Sequence, residues 1–277
     1  MTLHIMEDIE QGSPEWFDQR RGIVTASVIG QLLSVRAPSA DAYECTDCGA
    51  PANGPCVSKA KGKEGTPIST IHSARTALAN AKAKEVPPVI EVANDQTSLG
   101  LVRLLTAERI TGFTEPTFTS DDMWMGRESE PLAREKYAEH FAPVDTVGFM
   151  VLEQDGWKLG YSPDGLVGDD GMLEIKSRRA KKQLQTVLSN KVPAENMAQI
   201  QAGLLASGRQ WCDYVSYCGG MNLWVQRVYP DHQWFGAIAA ACKTFEAASE
   251  DMANRYFEAV AGLPKTERIV EMEMTLS

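Results

Sequence analysis

Long apolar runs are missing from this chain. No stretch of its 277 residues approaches the roughly 20 needed to cross a bilayer, which excludes a transmembrane helix. The N-terminus, MTLHIMEDIEQGSPEW, has neither a basic region nor an apolar one of secretory type, which predicts a cytoplasmic protein. Six cysteines are too few for a disulfide scaffold of this length. Positive charge is in deficit: 27 Lys and Arg against 37 Asp and Glu give a net charge of −10. Such a chain does not coat nucleic acid without specificity, and any contact with DNA requires a local basic surface. No internal repeat is visible. What remains is a hydrophobic fraction of 43%, ordinary for a chain with a real core.

The apolar pattern lays out an α/β plan. Residues 16–34 read as a helix broken near Gly22, with a second helix capped around Thr25 or Ser27. Helical periodicity recurs at 96–112, where Leu101, Leu104, Leu105 and Glu108 share a face and Gly112 is the stop, and at 121–141. Strand-like segments follow at 147–153, 158–168 and 172–177. Beyond a basic run come a helix at 194–208, strands at 211–218 and 223–230, and a long helix over 232–262. This order predicts a central mixed sheet flanked by helices.

Residues 37–94 break the pattern. They hold clustered cysteines, Lys59, Lys61, Lys63, Lys82 and Lys84, and Pro87-Pro88, with little apolar periodicity apart from HSARTALANAKAK. The composition predicts a small inserted module with a flexible exit, splitting a main domain into 1–36 and 95–277.

The stretch YSPDGLVGDDGMLEIKSRRAKK, residues 161–182, concentrates the chemistry. On a strand through MLEIKS, Leu173 and Ile175 face one way, and Glu174 and Lys176 the other. Gly168-Asp169-Asp170-Gly171 supplies turn residues for a hairpin. A four-residue loop at 168–171 would set Asp164 opposite Ile175, on the wrong face. A five-residue loop at 167–171, or a bulge, sets it opposite Glu174, and that register is the one predicted. Two carboxylates so close repel unless a cation sits between them. Hard oxygen ligands suit Mg²⁺ or Mn²⁺, and a neighbouring lysine can position a water or hold a phosphate. The constellation fits phosphodiester hydrolysis. Arg178, Arg179, Lys181 and Lys182, directly after it, are then expected to contact the DNA backbone.

PDG followed by LEIK has the form of the PD-(D/E)XK nuclease signature, and four further stretches extend the likeness. They are RRGIVTAS (20–27), MGRESEP (125–131), SPDG (162–165) and MAQIQ (197–201). In this order they resemble the bacteriophage lambda exonuclease family, the YqaJ-type viral recombination nucleases. The resemblance implies a restriction-endonuclease-like core and two Mg²⁺ or Mn²⁺ ions per site. Glu130 would join Asp164 and Glu174 as a ligand, with the Ile175 carbonyl completing the set and Lys176 at the attacking water. Gln199 would orient Lys176 or the substrate. Arg20, Ser27 and Ser162 would grip the 5′-phosphate of a DNA end, although Arg21 is an alternative to Arg20.

CTDCGAPANGPC places Cys45, Cys48 and Cys56 within twelve positions, and His72 is the nearest histidine downstream. A Cys-x2-Cys turn presents two thiolates to one tetrahedral centre, so three thiolates and a histidine predict one structural Zn²⁺. Asp47 or water could replace His72. A module so poor in apolar residues could scarcely fold without metal. The lysines suggest DNA contact or partner docking. Cys212, Cys218 and Cys242, scattered among apolar neighbours, read as small buried hydrophobes.

The expected function is a 5′→3′ double-strand exonuclease that leaves 3′ tails for recombination, acting on DNA ends with a single-strand annealing protein as partner. The family's three-subunit ring implies a homo-oligomer. The competing readings are a structure- or sequence-directed endonuclease, with the zinc module choosing the target, and a non-catalytic DNA-binding scaffold.

Overall fold

The structure, a computed structural model, describes residues 1–83, 86–115 and 120–268. Lys84 of the expected linker lies outside them. In chain order the elements are β1 (Thr2–Met6), α1 (Pro14–Arg20), β2 (Leu33–Arg36), α2 (Ser73–Lys82), β3 (Val89–Val92), α3 (Gln96–Thr111), α4 (Asp121–His140), β4 (Phe149–Gln154) and β5 (Trp157–Tyr161). They continue with β6 (Gly165–Val167), β7 (Gly171–Ser177), α5 (Ala180–Ser189), α6 (Ala194–Ser207), β8 (Trp211–Tyr217), β9 (Trp224–Val228) and α7 (His232–Ala259). Among the described residues, no helix is long and apolar enough to cross a membrane.

The strands form an antiparallel sheet β1-β4-β5 and a mixed sheet β6-β7-β8-β9, in which β7 and β8 run parallel. A parallel pair needs a crossover, and α5 with α6 supplies it. The single strand expected over 158–168 is two strands in different sheets. The chain bends at Ser162-Pro163-Asp164, where a proline removes one ladder donor.

Both faces of β7 are covered. Leu173 and Ile175 pack with Ala133 and Tyr137 of α4 and with Val215. On the other face Met172 joins the larger core with Ile200 and Leu204 of α6, Tyr214 of β8 and Phe245 of α7. The alternation read from MLEIKS therefore holds, but the second face is sealed too, so Glu174 is buried. Cys212 and Cys242 are buried as expected, while Cys218 is half-buried.

Several expectations need correction. The second helix expected after Gly22 is a short 3-10 turn, Ile29–Leu32. Its approach is extended instead, because Ala26 N–H donates to Gly160 O (2.8 Å) and Gly160 N–H to Val24 O (2.9 Å), tying Val24-Thr25-Ala26 to β5. β1 and α5 have no counterpart among the expected elements. The segment 37–88 leaves and re-enters over an antiparallel ribbon, with Leu33 opposite Val92 and Arg36 opposite Val89. Residues 89–92 thus belong to its stem. α3 forms where the periodicity places it, although Leu104 is exposed while Leu101, Leu105 and Glu108 are buried: it starts with a reciprocal Asp95–Ser98 cap and stops at Gly112, whose φ of 63° places it in the left-handed region.

Candidate metal centres and phosphate pocket

The β6–β7 hairpin has the predicted register by a shorter turn. Gly165 pairs with Leu173, Leu166 with Met172 and Val167 with Gly171, leaving Gly168, Asp169 and Asp170 in the turn. One step further along this ladder stands Asp164, opposite Glu174. Asp164 bonds no carbonyl there; its Oδ2 accepts the Ile175 N–H at 2.6 Å. A side chain replaces the backbone as acceptor and is thereby aimed at β7.

Around that pair the charges converge. Lys176 Nζ lies 2.5 Å from Glu174 Oε1. This contact occupies one of the two buried Glu174 oxygens, and the other, Oε2, has no hydrogen-bond partner among the described residues. Glu130 on α4 pairs with Arg134 one turn on, and Arg134 Nε donates to the Asp164 carbonyl at 2.7 Å. Burial, then repulsion by Glu174 and Glu130, raises the Asp164 pKa well above the carboxylate range. The Glu130 pKa is also raised, by burial first, with Arg134 opposing and Glu174 adding. For Lys176 burial alone would lower the pKa, but Glu174 and Asp164 together outweigh it and hold the ammonium charged. Three buried or half-buried carboxylates face two cations, and Glu174 Oε2 is left without a partner among the described residues. Unpaired buried carboxylate oxygens are costly, and an oxygen donor set with surplus negative charge fits a hard divalent cation.

Sequence reasoning missed Arg134. A Glu–Arg pair at i, i+4 was visible, but its bond to a carbonyl on another element was not.

A second group assembles at α1. Arg20 Nη2 donates to Ser27 Oγ at 3.3 Å, and Ser27 Oγ lies 3.0 Å from Thr25 Oγ1. Ser162 Oγ donates to Gly148 O at 2.6 Å and accepts from Trp16 Nε1 at 3.1 Å. The Arg20 guanidinium stacks 3.9 Å above the Trp16 ring. Trp16, which no motif singled out, thus joins the three expected phosphate contacts. Burial lowers the Arg20 pKa to about 10, with Glu108 opposing, so the side chain stays charged at neutral pH. Arg21, the alternative, is instead paired with Asp18. A cleft of about 630 Å³, lined among others by Trp16, Arg134 and Pro163, runs between Trp16 and Glu130.

The remaining expected residues divide. Gln199 is half-buried on α6 and makes no side-chain hydrogen bond among the described residues, whereas Gln201 is spent on Tyr229 O and Asp231 N–H. The basic run is not one open patch. Arg178 turns inward to Asn196 Oδ1 (2.6 Å) and Tyr214 OH (2.7 Å). Arg179 pairs with Asp122 on α4 and Lys182 with Glu195 on α6, both exposed, while Lys181 is exposed with no partner among the described residues. A run that is contiguous in sequence points three ways because it caps and begins α5.

In the inserted segment Cys45, Cys48, Cys56 and His72 bring their ligand atoms within 4.8 Å of one another. Cys45 and Cys56 are buried, and Cys45 Sγ lies 3.5 Å from His72 Nδ1. The Cys48 thiol is pulled down to about 6, chiefly by the Val57 N–H, and burial pushes Cys45 up. Asp47 is engaged by Lys59 Nζ at 2.8 Å, so the set of four is sulfur and nitrogen, which fits zinc. Arg75, fully buried, donates to the carbonyls of Tyr43, Gly54, Asp41 and Pro51 at 2.7–2.9 Å. Nothing in the sequence marked it.

Residues 83–210 match the YqaJ-like viral recombinase domain, and residues 12–89 match the Putative DNA-binding phage zinc finger domain. The first range contains all three acids, Lys176 and Gln199; the second contains the four sulfur and nitrogen ligands, Arg20 and Ser27. An alkaline exonuclease from Laribacter hongkongensis (LHK-Exo) is similar in structure, with a TM-score of 0.61 and 25% identity over 91% of this chain and 100% of that one. LHK-Exo in complex with dAMP aligns with a TM-score of 0.60, 25% identity and the same coverage of 91% and 100%. No curated protein matches the chain.

Proposed function

We propose that this chain, which carries a YqaJ-like viral recombinase domain over residues 83–210, is a Mg²⁺- or Mn²⁺-dependent exonuclease of phage-type recombination. It degrades double-stranded DNA from 5′ ends and leaves 3′ single strands for a partner annealing protein. The observation that carries this reading is the convergence of Asp164, Glu174 and Lys176 on one hairpin, with Glu174 Oε1 against Lys176 and Oε2 buried without a partner.

Glu130, Asp164, Glu174 and the Ile175 carbonyl would hold the cations, two per site. When bound, such ions lower the pKa of a water and offset charge growing on the phosphate oxygens. Lys176, kept charged by its two acidic neighbours, holds the scissile phosphate and orients the attacking water. Arg20, Ser27 and Ser162 bind the terminal 5′-phosphate, and Trp16 fixes two of them through its ring and its N–H. Gln199 orients Lys176 or the substrate from α6. Lys181, with Arg179 and Lys182 once released from their exposed pairs, contacts the backbone.

Residues 37–94 would form an inserted folding unit that holds Zn²⁺ through Cys45, Cys48, Cys56 and His72, and its lysines would serve contact with DNA or with a docking partner. A ring of three chains around the duplex would account for processive digestion.

Digestion of an end-labelled linear duplex bearing a 5′-phosphate, with and without Mg²⁺, tests the reading. Mg²⁺-dependent release of label from the 5′ end is expected. Equal digestion of a closed circle would instead mean an endonuclease, and no hydrolysis of either would overturn the assignment.

A further inference from the structure

Arg134 touches two of the acids through different atoms. Its Nη2 pairs with the Glu130 carboxylate, four residues back on α4. Its Nε donates to the main-chain carbonyl of Asp164 at 2.7 Å, in the turn between β5 and β6. The side chain is only 23% exposed and that of Glu130 25%, so both bonds are made largely out of water, where a charge-assisted bond holds its geometry best.

The local sequence explains why such a tie is needed. Pro131 follows Glu130 inside α4, and without an N–H it leaves the Arg127 carbonyl without its helical donor. The helix is weakest just where it presents Glu130. Asp164 likewise sits outside the regular ladder, held through its side chain by Ile175 N–H. Neither acid is fixed by its own element alone.

We propose that Arg134 is the positioning residue of the divalent-cation centre, a guanidinium fork that sets Glu130 and Asp164 in register with each other. The inference rests on the nuclease reading for its metal centre, but it concerns cation binding and not the hydrolytic step. A lysine in its place would keep a charge beside Glu130 but could not supply two coplanar donors in fixed orientation.

Titration of the wild type, Arg134→Ala and Arg134→Lys with Mn²⁺ by calorimetry, in the absence of DNA, tests this. Outer partners of ligating carboxylates are typically worth about 10- to 100-fold in metal affinity, so Arg134→Ala should weaken Mn²⁺ binding by that factor. Arg134→Lys should fall between, and millimolar guanidinium should restore part of the loss in the alanine variant. Zinc content and Tm in Mn²⁺-free buffer report whether each variant is folded; if the alanine variant is not, the lysine variant carries the comparison. Wild-type affinity in Arg134→Ala, or in Arg134→Lys alone, would overturn the proposal, as would a wild type that binds no Mn²⁺. A wild type that binds Mn²⁺ in an Arg134-dependent way yet leaves DNA intact would uphold the fork and overturn the nuclease reading.

Discussion

Ile175 donates its backbone N–H to the Asp164 carboxylate across 2.6 Å. That bond joins the two halves of the hairpin beyond its last regular pair, and it brings Asp164 opposite Glu174 instead of letting the chain splay. It also orders the expected effects of substitution.

Asp164→Asn keeps an oxygen that can accept from Ile175 N–H but removes the charge. Hydrolysis should fall by at least about 100-fold, the usual scale for losing one electrostatic contact in a transition state, while Tm changes by only a few degrees. Lys176→Ala should lose activity on a similar scale and keep Mn²⁺ binding. Steady-state kinetics beside thermal melts check both.

Asp164 and Glu130 have folded-state pKa values raised above their unfolded ones. Raised carboxylate pKa values give a contribution to stability that is complete below the unfolded values, about 4, and is lost as pH rises through the folded ones. The cation-free protein therefore carries its largest penalty from these acids at neutral and alkaline pH. Lys176, also raised, contributes in the same sense only above its ordinary range and leaves this window untouched. Added Mg²⁺ should raise Tm more at pH 8 than at pH 5.5, as paired melts at the two values would reveal. An equal rise at both would contradict the assignment of strain to these two groups.

Trp16→Phe keeps a ring beneath Arg20 and removes the N–H that Ser162 accepts. A neutral hydrogen bond is worth about 0.5–1.5 kcal/mol. KM for duplex bearing a 5′-phosphate should rise by roughly two- to tenfold on that basis, with little change for duplex ending in a 5′-hydroxyl. Equal effects on the two substrates would separate Trp16 from the phosphate.

Replacing Cys45 and Cys48 together should remove the zinc, about one ion per chain in the wild type by elemental analysis. Arg75→Ala should do the same without touching a ligand. It orphans four carbonyls, each at about 1–3 kcal/mol if buried, against roughly 3–5 kcal/mol available from so small a core. Zinc content and protease sensitivity of residues 37–88 would read the outcome.

Much of the β6–β7 hairpin was legible because its determinants are local. An alternation of period two set the faces of β7, and glycine and aspartate at the turn fixed which residues could oppose each other. The turn came out shorter than expected with the same register, since pairing Val167 with Gly171 extends the ladder without shifting it. The Cys-x2-Cys knuckle was legible for the same reason. Reading failed where a residue's partner lay far along the chain. The basic run looked like one patch, yet Arg178 faces Asn196 and Tyr214 because α5 begins there. The segment after Gly22 read as a helix, but pairing with Gly160 claimed its backbone groups first.

The sequence by itself therefore determined which chemical groups the protein carries and, over short spans, on which face of a strand or turn they stand. Only the tertiary structure decided which of them meet: Trp16 with Ser162, Arg134 with the carbonyl of Asp164, Arg75 with four carbonyls around the thiols. Periodicity encodes direction within one element, whereas a contact between elements depends on how their buried faces pack, and no local spacing carries that information.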